Sequence, residues 1–526
     1  MTQDNLCNDN LDQWKDIRAR VEERRKAIEA TRQKEKVSPE DELPMEFVSN
    51  CLDAEEYGDG CLFAVMNRDR FRYNVQRGKN GKWMIYGPHF WSEDNTFKAF
   101  AEVEGICAAY DRLWADLDQK IRDNHKAGVE TKALEARRGQ VKDRIKKLRK
   151  NGRRRNILEF SKSNRVFPLA VENSVFDVTP HLMPCLNGVV DLRTGAVRPG
   201  RPDQFLEKHV PVELGSVDDE NPDWTRFIEE IFESDEHMVE FVQRLLGYTL
   251  LGSCREKIFV VLWGPSNNGK TVLVETVANV LGGLAHPIQS ETLLEQSRVK
   301  NASGPSPEII ILKNIRFGYV SETNDGARIS PAQTKWLSGS DTLVGRAVHA
   351  IDPEKFTPTH TLFLSTNHLP HANSTDAALW ERMLLLNFRL SFVNRTPVEE
   401  HERRADPMLK QKLLENKSGI LAWLIHGALK YQAEGLNPPE KVKVAVESYR
   451  RDEDILADFL EECCVIGEGM QASATELYNI FETWYERNVG SRVPKQRKFG
   501  MWLTQKGFQK EKSNKIKYKG IGIRQV

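Results

Sequence analysis

One short stretch of the chain has the composition and spacing of a phosphate-binding loop. The sequence GPSNNGKT, residues 264–271, fits the pattern G-x-x-x-x-G-K-[ST]. Its glycines allow backbone N–H groups to close around phosphate oxygens, Lys270 can reach the β and γ phosphates, and the Thr271 hydroxyl can bind magnesium. The predicted ATP- and Mg²⁺-binding residues are Gly264, Pro265, Ser266, Asn267, Asn268, Gly269, Lys270 and Thr271.

A second stretch offers the carboxylate that a nucleotide hydrolase needs to activate water. The apolar run at residues 315–320 is followed by Ser321 and Glu322. We predict that Glu322 is the catalytic base and a magnesium ligand, directly or through water. Many such enzymes have a magnesium-binding Asp at the position of Ser321, so metal binding here would depend on Thr271 and water.

A third apolar run, residues 361–365, is followed by Thr366 and Asn367. The Asn367 amide could hold the γ-phosphate or the attacking water. An Asn after a strand is commonly only a turn residue. Because three strands in series end in polar residues of this kind, we predict a catalytic role for Asn367.

The elements around these residues are the ones that a phosphate loop requires. Residues 257–263 form an apolar run that predicts a strand before the loop, and residues 272–281 predict a helix after it. Upstream, residues 187–200 predict two strands joined by a turn at Thr194 and Gly195, and residues 224–251 predict a helical stretch.

Length and composition place the chain among multidomain proteins. At 526 residues, 40% of them hydrophobic, it is long enough for about three domains. The 76 basic and 76 acidic residues cancel, so net charge alone predicts no polyanion partner. No apolar run reaches the roughly 18 residues of a membrane helix, the start is polar, and no cysteines form a CxxC pair. A soluble cytoplasmic protein is the expectation.

The charges are nevertheless unevenly placed. Residues 137–155 contain eleven Lys or Arg and the single acid Asp143, whereas residues 213–240 are rich in acids. The basic run could contact DNA phosphates or could simply be a solvated helix face, and the sequence leaves both open.

The first part of the chain alternates between charged helices and a small mixed region. Residues 11–36 and 111–155 predict helices with narrow apolar stripes, and residues 47–110 contain the aromatic runs RFRYNV, GKWMIYG and HFW that predict a small α+β region. This part is expected to form a collar and helical arm.

The last part of the chain predicts a helix, a second helix and a basic hairpin, at residues 473–487, 497–506 and 508–523. This order suggests a winged helix. Residues 492–526 hold eleven Lys or Arg and the single acid Glu511, which favours contact with DNA over contact with a partner protein. Leu477, Phe481 and Trp484 are predicted core residues rather than base-stacking ones.

Several motifs in order resemble one known family. They are RFRYNV, GKWMIYG, NGVVDLRTGAVRPG, DWTRFIEEIF, QRLLGYTLLG, the phosphate loop, YVSET, KWLSGSDTLVGR, FTPTHTLFLSTNHLP and DAALWERMLLLNF. From about Arg70 onward, the chain resembles the superfamily-three DNA helicases of viruses, phages and plasmids, in the branch of the phage, plasmid and poxvirus primase-helicases.

The resemblance implies an ATPase core of the AAA+ type that assembles as a ring, usually a hexamer, around DNA. It implies that Lys270 and Thr271 bind ATP and magnesium, that Glu322 is the catalytic acid, and that Asn367 is the first sensor. Arg382, in WERM, matches the family's arginine finger, which would reach the γ-phosphate of the neighbouring subunit.

The resemblance also implies a hairpin that projects into the central channel of the ring. It would rise through Arg346 and His349, turn at residues 352–353 and return through Lys355. These three residues are the predicted DNA contacts. Many relatives have a Lys where this chain has Thr357, so Lys355 or His349 would take over that role.

Two short motifs are expected to have no catalytic role. The segment before Arg70 is too short for the primase domain of some relatives, and the pair Asp116 and Asp118 is expected to be exposed on a helix, so no primer synthesis is predicted. The pair His368 and His371 lacks Cys partners and is expected to be structural.

The predicted fold is therefore α/β and multidomain. It comprises a helical arm at 1–43, an α+β and helical domain at 44–215, an AAA+ P-loop core at 216–400, a helical linker at 401–445 and a winged helix at 446–526. The predicted function is an ATP-dependent replicative DNA helicase of a phage, plasmid or mobile element in a bacterial host. It would bind single-stranded and forked DNA, translocate 3′ to 5′ and work with a separate primase.

Two other functions fit the same residues. The first is an origin-binding initiator or loader, regulated by ATP and with little unwinding activity. The second is interference with a competing replicon by the same motor, which sequence cannot separate from replication.

Overall fold

The computed structural model describes residues 43–296, 304–321, 326–348, 352–490, 493–512 and 516–524. They belong to two compact units. The first runs to Val190 and resumes at Val197–His209, and the second consists of Asp191–Ala196 and Val210–Val526. The predicted helix at residues 11–36 lies outside the described residues. The mixed α/β, multidomain organisation predicted from the sequence is confirmed.

The first unit combines helices with a small sheet. Its helices are α1 (Met45–Asp53), α2 (Glu55–Asn67), α3 (Lys98–Ala101), α4 (Glu104–Lys126), α5 (Lys132–Leu148) and α6 (Asn151–Ser163). Strands β1 (Phe71–Asn74), β2 (Lys82–Tyr86), β3 (Trp91–Glu93) and β4 (Ala170–Val171) form a sheet in the order β3-β2-β1-β4. The aromatic runs of the sequence supply β1, β2 and the start of β3, whereas β4 comes from a later part of the chain.

The helical stretch predicted at residues 111–155 is divided among three helices. Its apolar stripe packs inward as expected, with Leu117, Ile121, Val141 and Leu148 buried. The break between α4 and α5 falls at Gly128, whose φ of +68° is readily adopted only by glycine. The chain can therefore turn there and pack α5 back along α4.

The basic run at residues 137–155 contains many internal ion pairs. Arg144 and Arg153 both contact the fully buried carboxylate of Asp59, at 2.8 and 2.6 Å. Arg137 pairs with Asp53, Arg138 with Asp118, and Arg149 and Arg154 both pair with Glu104. Part of the charge of this run is therefore neutralised by carboxylates of the same unit, while Lys142, Lys147 and Lys150 are exposed. Contact of these lysines with DNA stays a prediction.

A second, three-stranded sheet follows in the chain. It consists of β5 (Leu182–Cys185), β6 (Gly188–Asp191) and β7 (Ala196–Arg198), in that order. The turn predicted between β6 and β7 is present. The backbone N–H groups of Thr194 and Gly195 donate to the Asp191 carbonyl, at 3.1 and 2.8 Å, and Gly195 has a φ of +75°.

The second unit begins with two helices where the sequence predicted one helical stretch. They are α7 (Pro222–Ile231) and α8 (Glu236–Leu250). Glu233 and Ser234, between them, have φ values of +56° and +57°, which an α-helix cannot accommodate. The Asp235 carboxylate then accepts a hydrogen bond from the Met238 N–H at 3.3 Å and caps α8.

The centre of the second unit is a parallel sheet of five strands in the order β14-β8-β13-β10-β9. The strands are β8 (Phe259–Trp263), β9 (Ala285–Pro287), β10 (Phe317–Ser321), β13 (Thr361–Thr366) and β14 (Met383–Asn387). Val260, Val261, Leu362 and Leu364 are buried, as expected for a parallel sheet covered on both faces. All the carboxyl ends of these strands meet at one edge.

The remaining elements of this part of the second unit connect and cover the central sheet. The helices are α9 (Lys270–Leu281), α10 (Pro307–Ile310), α11 (Pro331–Leu337), α12 (Ala377–Trp380), α13 (Leu409–Glu415), α14 (Lys417–Glu434) and α15 (Glu440–Asp452). The strands are β11 (Leu343–Gly345), β12 (Glu354–Phe356), β15 (Ser391–Val393) and β16 (Glu402–Arg404). Close packing of α8 on α14 depends on glycine, because a Cβ on Gly247 would lie 2.0 Å from the Gly427 carbonyl carbon.

The end of the second unit has its own small core. It contains α16 (Ile455–Cys463), β17 (Cys464–Ser473), α17 (Ala474–Asn488), α18 (Gln496–Gln505), β18 (Gln509–Lys512) and β19 (Ile516–Ile523). The strands form an antiparallel sheet in the order β17-β19-β18. The predicted order of helix, helix and hairpin is present. Leu477, Phe481 and Trp484 belong to the core, as predicted.

None of the helices in the described residues combines the length and the apolar character that a membrane span requires.

Candidate nucleotide-binding site

The phosphate loop lies between the end of β8 and the start of α9, as the motif requires. Gly264 has a φ of +151°, and a Cβ there would lie 2.2 Å from the Phe388 carbonyl oxygen. Gly269 has a φ of +90°, and a Cβ there would lie 2.8 Å from Ile231 Cγ2. Both glycines are therefore required by backbone conformation and by close packing.

Residues just after β14 hold the loop in place. The Asn268 side-chain amide donates to the Phe388 carbonyl at 3.3 Å, and the Phe392 N–H donates to the Asn267 carbonyl at 2.6 Å. Asn267 itself has a φ of +59°, a conformation that Asn tolerates better than most residues. The sequence motif gave no signal for the contacts of Phe388 and Phe392, since they depend on how β14 packs beside β8.

The Lys270 ammonium group lies inside the loop and is almost enclosed. Its side chain donates to the carbonyls of Gly264 and Pro265, at 2.6 and 2.9 Å, and to Asn268 Oδ1 at 2.9 Å. Only 4% of the residue is exposed, and burial lowers the pKa of Lys270 to about 8. These oxygens hold the cation at the centre of a loop whose geometry suits a phosphate group.

Asn367 follows β13 and lies next to the phosphate loop. Its Oδ1 accepts a hydrogen bond from Lys270 Nζ at 3.1 Å, and its Nδ2 lies 3.5 Å from Ser266 Oγ. The two residues meet because β13 pairs with β8, with Thr366 level with Trp263. The structure thus brings Lys270 and Asn367 together, while the catalytic role of Asn367 stays a prediction.

The predicted magnesium ligands have different positions. Thr271 is exposed in the first turn of α9, where the helix N-terminus favours anionic groups. Ser321 is exposed at the end of β10, level with Ser365 on β13. Glu322 lies outside the described residues. Within the described ranges, no group of three or more His, Cys, Asp or Glu residues is placed to hold a metal.

Arg382 is at the opposite edge of the sheet from the phosphate loop. It precedes β14, whose first residue, Met383, is level with Phe259 at the start of β8. A strand of this length separates its two ends by roughly 16 Å. The Arg382 side chain donates to the Ala378 carbonyl at 3.0 Å, so it does not reach the loop of its own chain.

The predicted hairpin is present as the antiparallel pair of β11 and β12, in which Val344 is level with Lys355. Lys355 is exposed, and Arg346 follows β11 directly. The Arg346 N–H donates to Ser306 Oγ at 3.0 Å, and Lys313 pairs with Glu354. His349 lies outside the described residues. Contact between these residues and DNA stays a prediction.

The two short motifs set aside in the sequence have structural partners. Asp116 pairs with Lys120 at 2.7 Å, and Asp118 pairs with Arg122 and Arg138. His371 Nδ1 lies 3.2 Å from Glu453 Oε1. The last contact helps to attach the chain after Asn367 to the end of α15.

Comparison with known proteins gives these observations a family context. A family model described as D5 N terminal like matches residues 62–233. The chain is 26% identical over 450 residues to "Putative helicase L207/L206" of Acanthamoeba polyphaga mimivirus, covering 82% of this chain and 46% of the relative. The chain is a relative of the D5-type superfamily-three helicases.

Other helicase relatives of the D5 type come from further large DNA viruses. "Putative helicase 022R" of Frog virus 3 (isolate Goorha) is 23% identical over 443 residues, covering 70% of this chain and 45% of the relative. The chain thus spans about half the length of these curated relatives. They are proteins of viruses of eukaryotes and give no support to the expected bacterial host.

A solved structure also aligns with most of the chain. It is "The apo structure of NrS-1 C terminal region (305-718)", with 12% sequence identity and a TM-score of 0.41, covering 86% of this chain and 96% of that one.

Proposed function

We propose that the chain is the motor part of an ATP-driven DNA helicase. The observation that carries this proposal is the contact between Lys270 Nζ and Asn367 Oδ1, 3.1 Å apart. It joins the phosphate loop after β8 to a polar side chain after the neighbouring parallel strand. Such an arrangement can sense whether a γ-phosphate is present, because a phosphate oxygen would compete with the amide for the Lys270 ammonium group.

The residues fit ATP with magnesium as substrate and cofactor. Among the described residues, the partners of the nearly enclosed Lys270 ammonium group are neutral oxygens, so a phosphate would be a stronger acceptor. The exposed Thr271 hydroxyl at the start of α9 would bind magnesium, and Glu322 would position the attacking water. Magnesium would neutralise charge on the β and γ phosphates.

Hydrolysis is proposed to require a neighbouring subunit. Arg382 lies at the edge of the sheet opposite to its own phosphate loop, and a ring would place it at the phosphates of the next chain. We assign it as an arginine finger that acts in trans and stabilises charge in the transition state. The proposed assembly is an AAA+ ring, a hexamer, with its core in residues 216–400 between the other proposed domains, 1–43, 44–215, 401–445 and 446–526.

DNA binding is assigned to two regions. Arg346, His349 and Lys355 of the β11–β12 hairpin would grip single-stranded DNA, moving it 3′ to 5′ as successive subunits hydrolyse ATP. At the end of the chain, a proposed winged helix would contact the forked duplex through α18, where Arg497 and Lys498 are exposed. A separate primase would act with the motor in the replication of a viral or other mobile element.

The test is the steady-state rate of ATP hydrolysis, with and without single-stranded DNA, for the wild type and Glu322→Gln. We expect DNA to stimulate the wild type, and the variant to lose most of its activity because the attacking water is no longer activated. Unwinding of forked DNA should disappear in Lys270→Ala. The proposal would be contradicted by a slow rate of ATP hydrolysis that is unchanged by DNA and by Glu322→Gln. Normal unwinding by Lys270→Ala would also contradict it.

A second function is favoured by one specific observation. Ser321, at the end of β10, replaces the Asp with which many such enzymes bind magnesium, so hydrolysis could be slow. The chain would then be an ATP-regulated initiator or loader that binds an origin through its basic end. Sequence-selective, ATP-dependent binding of duplex DNA without strand displacement would favour this function over the motor.

A further inference from the structure

A cavity of about 460 Å³ is lined by the residue that precedes the phosphate loop, while residues 264–271 are not part of its lining. Trp263 lines the cavity and directly precedes Gly264 of the loop. Asn387, at the end of the neighbouring strand β14, is level with Trp263 and also lines it. A molecule whose phosphates occupied the loop would therefore have this cavity beside it, at the same carboxyl edge of the sheet.

Most of the wall of the cavity comes from the end of β14, from α15 and from the turn after α7, and Trp263, Met238 and Leu369 complete it. Leu385, Asn387 and Arg389 alternate along the chain at the end of β14, so they share one face. Helix α15 covers that face, and Phe232 closes one side from the turn after α7. The volume lies in the range of small-molecule sites, and apolar walls with a few polar groups are typical of them.

The chemistry of the lining suits a flat, neutral ring better than a polyanion. Trp263 and Phe232 contribute aromatic side chains to the lining, and Leu369 and Ala445 add apolar surface. Aromatic side chains are common stacking partners of bases. The rim carries both signs of charge, including Arg389 and Asp452. A nucleobase matches this combination, whereas a second phosphate chain would meet carboxylates.

We propose that this cavity binds the base of the nucleotide and that Asn387 makes it selective for adenine. Within the described ranges, the Asn387 amide makes no side-chain hydrogen bond to the protein. An Asn amide can accept from the adenine 6-amino group and donate to the adjacent ring nitrogen. Guanine has a carbonyl oxygen where adenine has the amino group, so the amide oxygen of Asn387 would face another acceptor.

The inference rests on the proposed nucleotide site and is tested with three probes: ATP, GTP and inorganic tripolyphosphate. Their dissociation constants are measured by titration calorimetry on the full chain. The wild type should bind ATP more tightly than GTP. Asn387→Ala should weaken ATP binding about tenfold and remove most of the preference over GTP, because one bidentate contact is lost. Tripolyphosphate binding should not change, because it uses the loop alone.

A second variant fills the cavity without touching the loop. Ala445→Trp should weaken ATP and GTP binding at unchanged tripolyphosphate binding, since the new ring occupies the space of the base. Glu447→Trp is the matched control, because it lies on the same helix, is exposed and does not line the cavity. It should bind all three probes as the wild type does.

The outcomes separate this inference from the proposed function. If Asn387→Ala keeps the wild-type preference for ATP, or Ala445→Trp binds ATP normally, the cavity is not the base site, although the phosphate loop still functions. If the wild type binds neither ATP nor tripolyphosphate, or Lys270→Ala binds both normally, the nucleotide site itself is wrong and this inference fails with it.

Discussion

Lys270 should make the proposed nucleotide binding depend on pH. Burial lowers the pKa of its ammonium group to about 8, from an ordinary value above 10. Only the protonated form attracts phosphate, so ATP affinity should be constant below pH 8 and fall by up to about tenfold for each pH unit above it. Bound phosphate raises the same pKa, so ATP binding above pH 8 should also take up protons.

Titration calorimetry in buffers of different ionisation enthalpy measures both effects. Lys270→Arg is the matched variant, because a guanidinium group stays charged throughout this range. Its ATP affinity should be weaker but flat between pH 7 and 9.5. If log ATP affinity fell equally steeply with pH in the wild type and in Lys270→Arg, a group other than Lys270 would be responsible for the pH dependence.

Gly264 should be intolerant of even the smallest side chain. A Cβ at this position would lie 2.2 Å from the Phe388 carbonyl oxygen, which belongs to backbone next to β14. Gly264→Ala should therefore lower the stability of the second unit by about 1–3 kcal/mol and weaken ATP binding. Thermal unfolding with and without ATP measures both.

Gly139 supplies the control for this substitution. It lies within α5, and an added Cβ there meets nothing within 4 Å. Gly139→Ala should raise stability by about 0.5–1 kcal/mol, because glycine is the poorer helix former. Equal behaviour of the two variants would show that the contact with Phe388 does not constrain the loop.

The residues of the site differ in how far sequence could predict them. Lys270, Thr271 and Asn367 were found because a phosphate loop has a fixed local pattern and because polar residues after core strands meet at one edge. Asn387 also follows an apolar run, but its partners Trp263 and α15 are distant in the chain. A local sequence pattern cannot predict a cavity formed by elements that are distant in the chain. The proposed base site could therefore be identified only from the three-dimensional structure.

At the scale of elements, the ion pairs of Asp59 should hold the first unit together. The carboxylate is fully buried between Arg144 and Arg153, and the Tyr110 hydroxyl donates to it at 2.7 Å. Asp59→Asn removes the buried counter-charge that the two arginines share and leaves them only the more exposed Glu55 and Glu56. It should cost about 2–4 kcal/mol. Asp143→Asn, whose carboxylate is exposed on α5, should change stability by less than about 0.5 kcal/mol.

Chemical denaturation of the full chain, followed by circular dichroism, checks this prediction. The first unit should unfold at a lower denaturant concentration in Asp59→Asn but not in Asp143→Asn. An equally small shift of the midpoint in both variants would show that the buried ion pairs contribute little to stability. The sequence showed the eleven basic residues of the run at 137–155 but not their carboxylate partners. Asp59, for example, is 85 and 94 positions away from Arg144 and Arg153.

The β11–β12 hairpin should contribute to the binding of single-stranded DNA. Lys355 is exposed on β12. The hairpin was expected from the resemblance to superfamily-three helicases, not from a strand pattern. Lys355→Ala should reduce the slope of log affinity against log salt by about 0.7, the contribution of one phosphate contact in a single strand.

Fluorescence anisotropy of a labelled oligonucleotide at several salt concentrations measures that slope. Lys79→Ala, which removes an exposed lysine of the first unit, should leave it unchanged. If Lys355→Ala left the salt dependence unchanged, Lys355 would not contact a DNA phosphate.

At the scale of the whole molecule, the position of Arg382 predicts a site shared between subunits. The arginine precedes β14, while the phosphate loop follows the other end of β8, so one chain contains both groups but cannot bring them together. Lys270→Ala and Arg382→Ala should each abolish ATP hydrolysis alone. Mixed rings should recover activity, because an Arg382→Ala subunit keeps its loop and can receive the arginine of a Lys270→Ala neighbour.

The extent of recovery is itself informative. In a ring formed at random from equal amounts, about a quarter of the sites would pair an intact loop with an intact arginine. The recovered rate of ATP hydrolysis should be proportional to the product of the mole fractions of the two variants, with its maximum at equal amounts. A titration of one variant into the other measures this dependence. The double variant, which carries Lys270→Ala and Arg382→Ala on the same chain, gives the baseline rate of ATP hydrolysis. No recovery at any ratio would mean that Arg382 serves its own chain, and the ring would no longer explain its place in the fold.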